Sequence, residues 1–388
     1  MASDEMKKNV GVRTTAWMPE VHDRAQSQRT ANIEQCTERW PRLPPAWVMA
    51  VIAGLSFAML GCSGETAMAG TVRVVKSFDA DYPLTELAWH PNGKELAVGQ
   101  SLHRKVTVWD VTTGKLLRTF DKEPGAVSAL AYSPDGRYLA VGRGFNIGAG
   151  KAHAHLYDAA TGKLVRSFIP PPPEPRHSNE AHAVAFSPDS RRLLVDGYVT
   201  SNAGVVYELE TGQVVCTYAE DELKNPFNLT YALAFNPNGN TFAVGRIDGT
   251  LELWSAGDCK QIKEIKKAHP EDINALSFSA DGKLLASSSR GPKSTDGVKI
   301  WSAHSYDNLK SFNSDLHGAY RSLYFARDNK IIFVGGGEKA IEIWDVDSGG
   351  LVDTIQGFSD VVHVAPSPDG KHFATVFGDE IKIWEFVR

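Results

Sequence analysis

From residue 84 to the end of the chain, apolar and polar positions recur as one long unit rather than as a series of unrelated elements. The unit opens with a short apolar run that ends at an aromatic residue and a tight turn. Its copies are LAWHPNG (87–93), LAYSPDG (130–136), VAFSPDS (184–190), LAFNPNG (233–239), LSFSADG (276–282), LYFARDN (323–329) and VAPSPDG (364–370). The third turn position falls at Pro91, Pro134, Pro188, Pro237, Ala280, Arg327 and Pro368, in steps of 43, 54, 49, 43, 47 and 41 residues. Self-similarity at this spacing is the mark of a repeat architecture. Proline presets φ at the first central position of such a turn, Asp or Asn bonds its own backbone, and Gly takes the left-handed site that follows. A second apolar run follows each turn, as at 138–141 after 127–132, so each copy predicts a β-hairpin.

A second element follows in each copy: VTVWD (106–110), AHLYD (154–158), VVYEL (205–209), LELWS (251–255), VKIWS (298–302), IEIWD (341–345) and IKIWE (381–385). These segments alternate with period two, as half-buried strands do. They place Trp109, Tyr157, Tyr207, Trp254, Trp301, Trp344 and Trp384 at a single slot. A turn with Thr-Gly or Ser-Gly leads to a further strand, for example KLLRTF (115–120), KLVRSF (163–168) and QVVCTY (213–218). Each unit therefore predicts four antiparallel strands.

The order of hairpin, x-Trp-Asp, Thr-Gly-Lys and strand resembles the WD-repeat (WD40) family over residues 71–388. The resemblance implies an all-β, seven-bladed β-propeller with four antiparallel strands per blade. The Gly-His pair that precedes each unit in that family is mostly missing here, and Ala268-His269 before Ile273 is the best copy. With Asp296, Ser287 or Ser289, and Trp301, it implies the family's hydrogen-bonded tetrad in one blade. The seventh unit stops after its Trp384 strand, while TVRVVKSF (71–78) copies KLVRSF (163–168) almost letter for letter. The ring is thus expected to close by pairing 71–78 with 380–386, which removes the open sheet edges that template aggregation. Length alone suggests two or three domains; the repeat makes 71–388 one.

Composition fits this reading. With 34 Gly and 20 Pro the chain is too rich in breakers for a helical bundle, and 42% hydrophobic residues exclude global disorder. A formal charge of −5 implies no nucleic-acid surface. Four Cys, none in a CxxC pair, are neither a disulfide framework nor a zinc or redox motif.

The first 62 residues read as an address. Residues 1–45 form a polar leader of mixed charge, and 46–60 (AWVMAVIAGLSFAML) are uncharged, short for a membrane span but suited to a signal-peptide core. Met59-Leu60-Gly61-Cys62 resembles a bacterial lipoprotein signal, which implies that Cys62 is lipidated and becomes the new N-terminus; 63–70 is then a short linker. A start at Met49 would leave Arg39 and Arg42 outside the signal, so the initiator is expected within the leader, at Met18 or a non-Met codon. A core helix or an uncleaved anchor is the alternative reading of 46–60.

Few side chains suggest chemistry. The aromatic row suits the space between diverging blades. The turn Asp and Asn residues lack the calcium-loop run. His153, His155, His177 and His182 could form a metal site if the fold gathered them, but the letters show no ligand geometry; solvated or hydrogen-bonded histidines are expected, with no metal and no cofactor. Cys216, on a fourth strand, and Cys259, in the turn of the next unit, could pair in an exported protein, but opposite ends of blades put them too far apart, so free buried thiols are expected. No phosphate loop, Gly-x-Ser-x-Gly elbow or HExxH occurs.

Extra residues collect in loops expected on one face of the ring: 143–152, 169–179 with its PPPPEP run, 198–202, 219–228 and 289–295. Long loops on a rigid scaffold form binding surfaces. The candidate binding residues are Arg143, Phe145, Asn146, Pro171, Pro173, Arg176, His177, Tyr198, Asn202, Asp221, Lys224, Arg290 and Lys293. The expected function is a non-enzymatic protein–protein interaction scaffold, exported and held at the cell envelope by lipid on Cys62, with other proteins as partners and no nucleic acid. The rival readings are a propeller enzyme (hydrolase, lyase or quinone-dependent dehydrogenase) with an axial-channel site, and a cytoplasmic scaffold.

Overall fold

The structure is a computed structural model, and it describes residues 72–80, 84–100, 103–120, 125–144, 152–170, 180–198, 204–218, 230–289, 297–312, 320–336, 340–358 and 363–387. The chain divides into residues 1–66 and 67–388, and every described residue lies in the second unit. The signal segment, Cys62 and the linker lie outside the described residues.

Among the described residues there are strands and no helix. Twenty-eight strands form seven antiparallel sheets of four, each a blade. Blades 1 to 6 are consecutive in sequence: residues 86–119, 127–168, 180–218, 230–265, 273–312 and 320–355. Blade 7 takes three strands from 363–386 and its outermost strand, Val72–Asp79, from the other end of the propeller sequence. Val72 pairs with Phe386 and Asp79 with Glu380, so the expected closure is the one the chain adopts. The structure is a seven-bladed β-propeller.

The turns act as their residue types dictate. In Ser133-Pro134-Asp135-Gly136 the Gly136 amide donates to the Ser133 carbonyl (2.8 Å), and Gly136 takes φ 74°. The Asp135 carboxylate accepts from the Ser133 hydroxyl (2.6 Å) and the Arg137 amide (3.0 Å). In blades 1, 2 and 6 an Asp follows the slot aromatic and accepts from a Thr or Ser three residues on. Thr113 does this for Asp110, Thr161 for Asp158 and Ser348 for Asp345. Those bonds hold the three carboxyls below the usual aspartate range.

The core sits between blades. Each of seven apolar clusters draws on two neighbouring blades. Second and third strands are therefore buried on both faces, which is why Leu96, Val98, Leu139, Val141, Leu193 and Val195 read as continuous apolar runs. The aromatic slot is the main inter-blade filler. Its ring packs on the aromatic that ends the previous blade's fourth strand: Trp109 on Phe78, Tyr157 on Phe120, Tyr207 on Phe168, Trp254 on Tyr218 and Trp344 on Phe312. Trp301 faces Ile265 at the same register, and Trp384 stacks on Phe373 within its own blade.

One expectation is overturned. Cys216 and Cys259 are joined in a disulfide, with Cα atoms 5.9 Å apart. Cys216 lies on the fourth strand of blade 3, and Cys259 in the turn that leads to the fourth strand of blade 4. The expectation placed these at opposite ends of blades. In the ring, however, the outer strand of one blade passes beside that turn of the next.

Candidate binding face and axial channel

The first strands line the axis. A register shift in each of blades 2 to 6 inserts one extra residue, and in blades 2 to 5 this is Ser128, His182, Tyr231 and Asn274. A bulge re-aims the side chain it carries. These four, with Glu86 and Ser322, line a channel mouth of about 150 Å³. Below it Leu130, Val184, Leu233, Leu276 and Tyr324 form a mainly apolar waist shared with the opposite mouth, where Trp89, Ala131 and Ala185 stand.

The polar mouth is mixed in chemistry. The Ser128 hydroxyl donates to the Ala181 carbonyl (2.6 Å), and the Ser322 hydroxyl accepts from the Val364 amide (3.0 Å). His182 stands 3.3 Å from the Glu180 carboxylate and edge-on to Tyr231. Burial lowers the His182 pKa, against the pull of Glu180 and Asp196. Blades 1 to 6 contribute Glu86, Ser128, His182, Tyr231, Asn274 and Ser322, so among the described residues only serine recurs and no polar group repeats around the whole ring.

Between blades 3 and 4 lies a buried network that the sequence reading missed. Asp196 accepts from the Tyr218 hydroxyl (2.7 Å) and the Thr230 hydroxyl (3.0 Å). Arg246 donates to Thr230 (2.7 Å) and to Glu252 (3.0 Å), and the Trp254 indole also donates to Glu252 (3.0 Å). Two carboxylates thus share one guanidinium in the interior, and desolvation pushes the Tyr218 phenol well above its ordinary range. Such groups are tolerated in a core only when paired and hydrogen-bonded. A legible signal existed: the residue two before the slot aromatic is a carboxylate at Glu252 and Glu342, and both take the indole proton of their Trp.

In blade 5 the expected tetrad is present over the described residues. The Ser287 hydroxyl is 2.7 Å from His269 Nε2 and accepts from Trp301 (2.8 Å). Ser287, not Ser289, fills the role; Ser289 donates to the Glu271 carbonyl (3.2 Å), and Asp296 lies outside the described residues. The histidines weighed as metal ligands have separate partners. His153 lies against the Tyr207 hydroxyl (2.9 Å), His155 is edge-on to Tyr157, and His177 lies outside the described residues. Burial pushes His153 down to about 3, with the Arg143 guanidinium acting in the same direction.

Of the candidate loop residues, Arg143 is described in full. It is 3% exposed, and its guanidinium donates to the Ala152 carbonyl, so it ties the base of its loop and presents no charge to solvent. Tyr198 ends the second strand of blade 3. Phe145, Asn146, Pro171, Pro173, Arg176, His177, Asn202, Asp221, Lys224, Arg290 and Lys293 lie outside the described residues. Among the described residues no helix is long and apolar enough to cross a membrane, and no three His, Cys, Asp or Glu side chains are grouped to hold a metal.

Comparison with known proteins agrees with this architecture. The family described as WD domain, G-beta repeat matches residues 72–110 and 114–146, and that of eukaryotic translation initiation factor eIF2A matches 174–307. Cell division cycle 20.1, cofactor of APC complex, of Arabidopsis thaliana is 24% identical over 78% of this chain and 64% of its own length. Periodic tryptophan protein 2 homolog of Dictyostelium discoideum is 24% identical over 72% of this chain, which spans 30% of that protein. Eukaryotic translation initiation factor 3 subunit I of Drosophila virilis is 22% identical over 75% of this chain and 91% of its own. These matches support a WD40 β-propeller family for the chain.

Proposed function

We propose that the protein is a non-enzymatic scaffold that binds other proteins on the loop face of blades 2 to 5. In this reading it is exported and held at the cell envelope by lipid on Cys62. The observation that carries the scaffold reading is the contrast between a ring of near-identical turns and an axis whose waist is mainly apolar. A rigid frame with variable loops favours recognition. Among the described residues the polar mouth repeats no acid–base arrangement from blade to blade. Two of the relatives are named as a cofactor and a subunit of larger complexes, which fits a partner-binding role. The acidic net charge of −5 favours protein partners over nucleic acid.

Export is supported by the signal-like segment and by the Cys216–Cys259 disulfide, since disulfides persist in oxidising compartments. Affinity capture from envelope fractions tests the scaffold role. Deleting residues 169–179 is expected to remove partners, and an unchanged partner set counts against the face. Metabolic acyl labelling tests the anchor: label is expected on the protein and lost in Cys62→Ala. Absence of label in the parent protein favours the cytoplasmic scaffold.

A further inference from the structure

Among the described residues, six of the seven blade junctions carry a bond between hairpin turns or first strands on the turn face, whereas blades 3 and 4 are joined there by Arg192, from the second strand, to the Ala256 carbonyl. His90 lies 3.0 Å from the Gly136 carbonyl, the Asp135 amide donates to Ser190 (3.0 Å), and Asn236 donates to the Gly282 carbonyl (3.1 Å). The Ala280 amide donates to Asn329 (2.6 Å), Arg327 to the Pro368 carbonyl (2.5 Å), and the Trp89 indole to the Ala365 carbonyl (3.0 Å). The reach comes either from a long side chain in the leading turn, as in His90, Asn236 and Arg327, or from a non-glycine at the last turn position of the following blade, as in Ser190 and Asn329. Between blades 3 and 4 the corresponding residues are Ser187 and Gly239, and neither can reach. The two turns there border a cleft of about 550 Å³, similar to the one of about 600 Å³ at the bonded junction of blades 6 and 7. The apolar cluster behind it is also the smallest, with eight buried residues against ten or eleven elsewhere.

The disulfide stands at this junction, and both of its cysteines are exceptions in the repeat. Cys216 occupies the column of Arg118, Arg166 and Lys310. Arg166 and Lys310 reach the next blade's turn to donate to the Thr211 carbonyl (2.9 Å) and the Val346 carbonyl (2.8 Å). Cys259 occupies the column of Gly114, Gly162, Gly212, Tyr306 and Gly349, and like Tyr306 (φ 62°) it holds a left-handed φ, 52°. A non-glycine residue is disfavoured there. A side chain in this column points at the arm from the preceding blade: a Cβ built on Gly212 would come 2.5 Å from Arg166. The two exceptions thus meet where other blades use a non-covalent arm.

We propose that Cys216–Cys259 is a redox-controlled lock on the joint between blades 3 and 4, replacing the missing turn bond. A dithiol opens it in two exchange steps. A thiolate attacks one sulfur to give a mixed disulfide and a cysteine thiolate, and the second thiol then releases the other cysteine. Two electrons and two protons pass to the cysteines, and the reductant leaves as a cyclic disulfide. With the lock open, Arg192 to the Ala256 carbonyl and the buried Asp196–Arg246–Glu252 network still span the joint, so the ring loosens locally and stays folded. The lock stands on this geometry alone, independent of export.

Hydrogen–deuterium exchange on the full chain, with and without dithiothreitol, tests it. Peptides over 204–218 and 251–265 are expected to exchange about tenfold faster on reduction while those over 273–312 are unchanged. Alkylation before reduction should leave Cys216 and Cys259 unlabelled. Cys216→Ser with Cys259→Ser should reproduce the reduced pattern without dithiothreitol. Gly239→Asn adds the side chain that Asn329 supplies two junctions further on; Pro188 has no amide to donate, so the donor here is the Asp189 amide, as the Asp135 amide is to Ser190. The position has φ 75° and no atom within 4 Å of a new Cβ. It should restore protection in the reduced protein. Alkylation of both cysteines in unreduced protein, exchange that is unchanged or rises evenly around the ring, or no rescue by Gly239→Asn each overturns the proposal.

Discussion

Blade 7 and the joint between blades 3 and 4 solve the same problem in different ways. Blade 7 joins strands from the two ends of the propeller by a backbone ladder running from Val72↔Phe386 to Asp79↔Glu380, backed by the Arg73–Glu385 ion pair at 2.6 Å. The joint between blades 3 and 4 has no shared sheet. It relies on side chains: a disulfide, a buried ion network and a reduced apolar cluster. A ladder is cooperative and indifferent to solution conditions, whereas the other joint depends on redox state and on ionisation. One is a permanent closure and the other a conditional one.

The largest effect should come from removing the ladder. Deleting residues 72–79 exposes the edge of the Glu380–Phe386 strand, and is expected to give aggregation or a fall in Tm on the order of 10 °C. An unchanged Tm by calorimetry would break the contrast at its strong end. At the conditional joint, Arg246→Met leaves Asp196 and Glu252 without their cation, and a loss of about 3–5 kcal/mol is expected in urea unfolding. A loss under about 1 kcal/mol would mean the network adds little beyond the disulfide.

The neighbouring joint, between blades 2 and 3, should respond to pH through His153. Its folded pKa of about 3 lies below the ordinary value of 6.5, so the unfolded chain binds the proton first. Its contribution is therefore present above pH 6.5 and drains away as pH falls towards 3. His153→Gln should flatten the stability profile in that window relative to wild type; parallel profiles would sink the assignment. Asn236→Ala removes one turn bond between blades 4 and 5 and the Asn238 amide's bond to the same side chain, and about 1–2 kcal/mol is expected. A cost as large as that of Arg246→Met would erase the distinction between ordinary and conditional joints.

The blades were readable because each strand's pattern and turn chemistry are local and occur seven times. Pro134-Asp135-Gly136 specifies its hairpin wherever it is placed, and Trp109 through Trp384 mark a common register. The closing strand was readable because 71–78 repeats a motif whose partner was missing at the other end. The disulfide was not, because it joins columns of adjacent repeats, and the distance between columns is set by how far one blade is rotated against the next. Aligning the copies would have exposed the anomaly, with Cys216 in a column mostly of Arg and Lys and Cys259 in one mostly of Gly. The Arg246 network was hidden for a related reason, since Asp196, Thr230 and Glu252 lie on three different strands and meet only across a joint.

By itself, then, the sequence determined the all-β class, seven units of four strands, the turns and the strand that closes the ring, because short-range backbone preferences and periodic burial act within one unit. Only the tertiary structure decided which side chains of different units touch. It paired Cys216 with Cys259, gave Asp196 and Glu252 to one arginine, buried Arg143 and gathered His182, Tyr231 and Asn274 at the channel mouth. Those choices depend on the stacking of blades around an axis, a geometry that no single repeat contains.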